Sequence, residues 1–407
     1  MALFVFCVVI SDCLCYNEEK RAKGAQAMLQ TVLDYIDAHE QEMIELWKKI
    51  VAIESPSNDK AGVDAVGRVL ADYCQTVLGY HIRYQEDATY GNCLAACSVP
   101  FEQYENGIAI SAHMDTVHAH GVFDPVVSWD ETYLYGPGAG DCKGGIIMAL
   151  LTAAALKEAG YCKRPIKLVF AADEESGGPT GWTFYPRELA GSACMFNAES
   201  GLREKLVTGR KSSLIAVYDI KGEAAHIGYM QGKPKSAIRE AALKLLALED
   251  ASDYDMLTFC GGVIQGGTIA TSAPAQCKLQ VNVRIKDATV VDKAIALLEQ
   301  VAATTYVPGT SCTLEIRGNR TPMSQRPANL ELCARFSKAS QELGFEAFEP
   351  VFVGGASDSA YASAMDIPVV CSSGPIVDFQ HTRNERVDMA SMAKRAKIHA
   401  KTILDMD

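Results

Sequence analysis

The sequence predicts an α/β fold interrupted by a second, ferredoxin-like α+β unit. Three observations carry the prediction. Short apolar runs rich in β-branched residues alternate with helical patterns up to Glu199, and three of these runs end in an acid or a histidine, where open α/β sheets build their sites. From about Ser213 to Thr321 the order of elements changes to β-α-β-β-α-β. Beyond it the first pattern resumes, so the first unit owns both ends of the chain.

The length agrees, since at roughly 150 residues per domain a chain of 407 holds two or three units with full cores. Hydrophobic residues make up 48% and charged residues 22%, which excludes a disordered chain and a small disulfide-stapled scaffold. The 38 Lys and Arg against 50 Asp and Glu leave a net charge of −12, which disfavours nucleic acid and anionic membrane as partners. The 14 cysteines follow no zinc-knuckle spacing and read as reduced, buried thiols, which points to a cytoplasmic location.

In chain order, the N-terminal apolar stretch has no Lys or Arg before it, no small-x-small cleavage site and too little length to span a bilayer. Residues 1–24 are expected to form a disordered or loosely packed arm, or a start-site extension, and no other segment is expected to cross a membrane. From about Ala25 to Ile53 apolar residues recur at helical spacing (Met28, Val32, Ile36, then Met43, Leu46, Ile50), predicting a long helix or a helix pair. The run G-I-A-I-S-A-H-M-D around Ile108 reads as a buried strand ending in polar residues. A helix at 144–159 follows a glycine-rich turn, and strands at 166–172 and 194–198 end in acids. The middle segment reads as strand 214–220, helix 235–248, strands 257–265 and 277–285, helix 288–305 and strand 312–317. Then come a helix at 329–343, a turn at Gly354 and Gly355, a strand at 367–371 and a closing helix at 391–404.

Five motifs carry candidate chemistry. In S-A-H-M-D-T-V, His113 and Asp115 lie two apart on an extended segment and so on one side, where the carboxylate can fix the imidazole tautomer as metal-bound histidines require. The same pair fits an ordinary surface or core site. In Y-G-P-G-A-G-D-C-K-G-G, Asp141 opens a helix and reads as an N-cap or as a bridging metal carboxylate, with no Rossmann or P-loop spacing. A-A-D-E-E-S-G-G places three acids at a strand end; they are either solvated or held by a cation, with one poised as a base. F-N-A-E-S-G supplies Glu199 and F-Q-H-T-R-N-E-R-V supplies His381, each ordinary alone. Together His113, Asp141, Glu175, Glu199 and His381 offer two imidazoles and three carboxylates, a donor set that suits zinc, with cobalt or manganese as substitutes.

The order H-M-D, G-x-G-x-x-D-x-K-G-G, D-E-E, A-E-S, A-H-I-G, R-x-P and G-G-A-S-D followed by Q-H-T-x-N-E-x-V resembles the co-catalytic zinc peptidases and amidohydrolases. That family includes glutamate carboxypeptidase, acetylornithine deacetylase, succinyl-diaminopimelate desuccinylase and aminoacylase. The resemblance runs from about Met28 to the C-terminus and leans to the glutamate carboxypeptidase branch. It implies a mixed-sheet zinc-exopeptidase catalytic domain of residues 25–212 and 322–407, with an inserted ferredoxin-like α+β lid and dimerisation domain of residues 213–321. It further implies that His113 and Glu199 hold one zinc, that Glu175 and His381 hold the other, and that Asp141 bridges them. Asp115 would orient His113, Glu174 would be the general base, and the Asp141–Cys142 peptide would be cis. Cys142 itself departs from the family's usual acidic or small residue.

Around the substrate, the resemblance makes His226, in K-G-E-A-A-H-I-G, a contact to the scissile carbonyl from the partner subunit of a homodimer. Arg320 would grip a substrate carboxylate, and Thr271 stands where relatives carry asparagine. Gly355, with Gly354, would let the chain pass close to substrate or would simply cap a helix, and Ser357 or Asp358 would line the same pocket. The activity implied is cleavage of an amide beside a free carboxylate in a small peptide. Deacylation of an N-acyl amino acid is the alternative, and a metal-binding pseudoenzyme scaffold is the outside one.

Overall fold

The computed structural model describes the backbone of residues 2–406, with side chains from Gly24 onward except Asn319. Of the predicted N-terminal arm, residues 1–24, the side chains before Gly24 lie outside that description, and the backbone from Ala2 is helical.

Strands that read as unbroken apolar runs need cover on both faces. They assemble into one six-stranded sheet in the order His81–Gln85, Cys93–Cys97, Ile166–Ala171, Gly107–His113, Ser192–Asn197, Val369–Val370. The last four run parallel and the first two join antiparallel, so the sheet is mixed. Every residue of Cys93–Cys97, Gly107–His113 and Ile166–Ala171 is buried. The helices Ala2–Val51, Gly145–Glu158 and Ala390–Leu404 pack against one another, and Lys60–Thr76 packs on the antiparallel edge. The helical spacing that allowed one helix or two before residue 53 resolves as a single helix.

Gly145–Glu158 is buried from Gly145 to Leu156, which explains why its sequence has no polar face. The stretch Ala139–Glu158 does have the length and hydropathy of a membrane span, contrary to the expectation that no segment would. Its apolar window is wholly buried inside the fold. Close packing also accounts for K-G-G at its start. A Cβ on Gly144 would stand 2.5 Å from the Trp47 ring, and one on Gly145 would stand 1.9 Å from the Ala198 carbonyl oxygen.

The middle segment forms a separate four-stranded antiparallel sheet in the order Leu257–Gly266, Gln276–Ile285, Ser213–Lys221, Ser311–Arg320. The helices Ala237–Glu249 and Val291–Ala303 accompany it. Burial alternates along its strands, as in Gln276–Ile285, because only one face is covered. Its core, with Tyr218, Phe259, Leu279 and Leu298, is a cluster distinct from the one around the central sheet. The chain enters this sheet at Ser213 and leaves it at Arg320, and these two residues are paired.

Smaller pieces escaped the sequence reading. Lys205–Arg210 pairs in parallel with Glu349–Val353. Ser128–Trp129, Tyr133–Tyr135, Arg386–Asp388 and Val377–Asp378 form a second, short four-stranded sheet. The strand expected at 367–371 shortens to Val369–Val370.

Candidate metal centre

Parallel strands end on one side of a sheet, so residues at their C-terminal ends converge. His113 is the last residue of Gly107–His113, Glu174 and Glu175 open the turn after Ile166–Ala171, and Glu199 follows Ser192–Asn197 by two residues. Asp141 sits in the kinked turn Ala139–Gly144 that feeds the buried helix, and its peptide to Cys142 is cis. His381 comes from the loop between Val377–Asp378 and Arg386–Asp388, with φ of 58° in the left-handed region.

The two oxygens of Asp141 face different partners. Oδ1 lies 3.4 Å from His113 Nε2, and Oδ2 lies 3.1 Å from His381 Nε2. Glu199 Oε2 stands 3.9 Å from His113 Nε2, and Glu175 Oε1 stands 3.4 Å from His381 Nε2. Donor atoms of His113, Asp141 and Glu199 fall within 4.8 Å of one another, as do those of Asp141, Glu175 and His381. The arrangement is two His/Glu pairs sharing one carboxylate. Cys142 Sγ belongs to the first group by distance, and its thiol donates to the Ala198 carbonyl at 3.1 Å.

These residues fit a cation-binding site on their own chemistry. Glu175 Oε1 is buried without a hydrogen bond. Burial, then the charge of Asp141, pushes the Glu199 carboxyl well above the usual range; burial pushes Glu175 up to about 7. The hydrogen bond to Asp141, with the Glu175 carboxylate 3.4 Å away, raises His381 to about 11. Burial opposes ionisation of Asp141, yet the two imidazoles hold its carboxyl far below the ordinary value. The cluster balances its charge with protons, a task that a divalent cation performs while deprotonating its ligands.

The supporting contacts orient the donors. His113 Nδ1 lies 3.0 Å from the Asp115 carbonyl oxygen, which can only accept, so Nδ1 carries the proton and Nε2 is left to ligate. The Asp115 carboxylate accepts the N–H groups of Glu174 and Glu175, both at 3.1 Å, and the Ser57 hydroxyl at 2.6 Å. One aspartate thus ties the histidine to the two-glutamate turn. Glu385, which sequence reasoning missed, accepts the N–H groups of Gly140 at 3.1 Å and Asp141 at 3.2 Å and meets His118 Nε2 at 2.8 Å. It stands inside the motif Q-H-T-x-N-E-x-V, but its partners lie far away in sequence, so the motif alone does not show that it holds the Asp141 turn. Lys143 was missed as well; burial pushes it down to about 7, and its Nζ donates to the Ile53 carbonyl at 2.8 Å.

A cavity of about 1000 Å³ opens over the cluster. Asp141, Glu174, Glu175, Glu199 and His381 line it together with Arg210, Arg284, Arg317 and Arg320. Arg320 does reach the cavity, but its guanidinium is occupied by Glu174 and Asp358. Gly355 lines the wall, where a Cβ would meet nothing nearer than Arg210 at 3.7 Å, so the protein itself does not demand a glycine there. His226 and Thr271 are not among the lining residues. They lie together on the middle segment, where Ala225–His226 pairs with Ser272–Ala273 and the Ile227 N–H donates to the Thr271 carbonyl at 3.0 Å.

Relatives share this plan along nearly the whole chain. Carboxypeptidase G2 of Pseudomonas sp. (strain RS-16) is 27% identical over 380 residues, covering 89% of each protein. Succinyl-diaminopimelate desuccinylase of Hydrogenovibrio crunogenus is 25% identical over 398 residues, covering 90% of this chain and 99% of that one. The crystal structure of aminopeptidase PepT from Bacillus cereus superposes with a TM-score of 0.73 at 20% identity, over 90% of this chain and 98% of that one, which shows a common fold. With residues 109–405 matching the model of peptidase family M20/M25/M40, the chain belongs to that family and is a metal-dependent hydrolase.

Proposed function

We propose that the chain is a di-zinc exopeptidase that hydrolyses the amide beside a free carboxylate in small peptides, with cobalt or manganese able to replace zinc. The observation that carries this reading is the split of Asp141 between two His/Glu pairs. Zinc held there acidifies water and polarises a carbonyl oxygen. Glu174, whose carboxylate falls within 4.8 Å of donor atoms of His113 and Glu175, takes a proton on the oxygen that Arg320 leaves free and passes it to the leaving nitrogen. Asp115 holds His113 and the Glu174–Glu175 turn in register while this happens.

Two guanidiniums support an anionic substrate. Arg210 donates to Cys371 Sγ, the Gly355 carbonyl and the Ser372 hydroxyl, and Arg284 donates to Asn282 and to the Ser212 and Gly354 carbonyls. Neither has an acidic partner among the described residues, which leaves positive charge facing the cavity. His226 and Thr271 serve a neighbouring active site in a homodimer joined through the middle segment. The unpaired edge of Leu257–Gly266, with Val263 and Ile264 exposed, supports that contact. The desuccinylase relatives favour a second reading, deacylation of N-acyl amino acids by the same groups. The free thiols among the described cysteines support a reducing, cytoplasmic setting.

The test is a panel of C-terminal dipeptides and N-acyl amino acids assayed with added zinc, cobalt or manganese, on wild type and Glu174→Gln. The reading expects turnover of carboxylate-bearing amides and a loss of kcat in the variant of about 10²- to 10⁴-fold with bound metal unchanged. Near-normal activity of metal-replete Glu174→Gln would remove Glu174 from its role, and no turnover of either substrate group would favour the pseudoenzyme scaffold.

A further inference from the structure

We propose that Asp358 is a positioning residue for Glu174, acting through Arg320. The inference rests on Glu174 being the general base, as proposed above. Arg320 spans two parts of the molecule: its backbone ends the strand Ser311–Arg320, while its side chain reaches into the turn after Ile166–Ala171. There Nη1 donates to Glu174 Oε1 at 2.5 Å and Nη2 donates to the Glu174 carbonyl oxygen at 2.6 Å. One planar fork therefore holds both the carboxylate and the backbone of a single residue, a geometry that lysine cannot reproduce.

A long side chain keeps that pose only if its head is fixed, because rotamer freedom otherwise disperses it. Asp358 supplies the fixing. Its Oδ1 lies 3.0 Å from Arg320 Nη2, and its Oδ2 accepts the Tyr185 hydroxyl at 2.8 Å. Arg320, Glu174 and Asp358 are 6%, 7% and 3% exposed, so water replaces none of these contacts cheaply. Tyr185 in turn stacks on Tyr361 with ring centroids 4.9 Å apart, and the Tyr361 hydroxyl donates to the Gly178 carbonyl at 2.8 Å. Gly178 belongs to the same turn as Glu174, at φ of 64°. A Cβ there would come within 2.8 Å of both Arg320 Nη2 and the Tyr361 hydroxyl, so the turn is pressed against both. Asp358 and Tyr185 thus brace the two groups that grip the base-bearing turn.

This assignment differs from a substrate-gripping Arg320 in what it predicts. If Arg320 receives the substrate carboxylate, loss of Asp358 weakens binding; if Arg320 positions Glu174, the same loss weakens turnover. The experiment compares Asp358→Asn, Asp358→Glu and Tyr185→Phe in metal-replete enzyme, with kcat, KM and bound metal measured separately. For Asp358→Asn we expect kcat to fall about 10- to 100-fold, the scale of a misplaced catalytic group, with KM and metal content within about threefold of wild type. Tyr185→Phe should lower kcat about fivefold, the scale of one lost hydrogen bond, and Asp358→Glu should recover part of the Asn loss. A rise in KM at constant kcat, or no change at all, overturns the proposal. Should Asp358→Asn fail to fold, Tyr185→Phe decides alone by the same criterion. Glu174→Gln separates the two readings: activity there removes the base itself, whereas an inactive Glu174→Gln beside an unimpaired Asp358→Asn removes only the role of Asp358.

Discussion

The central sheet and the sheet of the middle segment differ in how many faces they bury. In Gly107–His113 and Ile166–Ala171 every residue is buried, whereas in Gln276–Ile285 buried and exposed positions alternate. A strand covered on both faces can present reactive groups only at or beyond its end, and that is where His113, Glu174 and Glu199 stand. A strand covered on one face keeps a second face and an edge for other molecules. His226 and Thr271 lie on the same middle segment at a separate two-stranded pairing, and neither lines the cavity.

The comparison can be broken most sharply by truncating one side chain in each sheet. Phe170, fully buried between two layers, should cost about 3–5 kcal/mol as Phe170→Ala, whereas Thr313→Ala on the exposed face of the other sheet should stay within about 0.5 kcal/mol. Urea unfolding of both variants reads the difference, and similar losses would show that the middle sheet is covered on both faces in solution.

Next in size is the functional contrast. His226→Ala should lower kcat about 10²-fold, and mixing it with Glu174→Gln should restore activity, because a mixed dimer carries one complete site. Verified mixed dimers without restored activity, or a fully active monomer, would confine His226 to its own subunit.

The smallest effect concerns a buried histidine, His399. His399 packs between Phe196 and Phe336, and burial pushes it down to about 3. Between roughly pH 6.5 and 3 the unfolded chain binds a proton there that the folded chain refuses, so stability falls as pH drops through that window. The slope is up to about 1.4 kcal/mol per pH unit. His399→Gln should flatten the dependence measured from pH 7 to 4, and parallel curves for the two proteins would show that the histidine is already charged in the fold.

How much of this is legible in sequence follows from the same contrast. The runs that became Gly107–His113 and Ile166–Ala171 announce themselves because burial on both faces leaves no polar interruption. The middle strands are visible through alternation, and their order could be followed from Ser213 to Arg320. The short strands Ser128–Trp129 and Val377–Asp378 carry no period long enough to detect. Among site residues, those in dense motifs, such as Asp141 and Glu174, stand out by composition. Arg210 does not, since an arginine beside Lys211 reads as ordinary surface charge, and Glu385, though inside Q-H-T-x-N-E-x-V, gains its role only when the fold brings it to the Asp141 turn. Arg320 was legible as a site residue, but its engagement with Glu174 and Asp358 depends on a contact across 146 positions that no local pattern encodes.

Ser213 and Arg320 face each other in the ladder, so the middle segment begins and ends about one strand spacing, ~4.8 Å, apart. A chain cut at those two points and rejoined by a tight turn would still thread the central sheet in the same order. The segment can therefore be acquired, exchanged or lost in a single event while the strand ends of the central sheet keep their places.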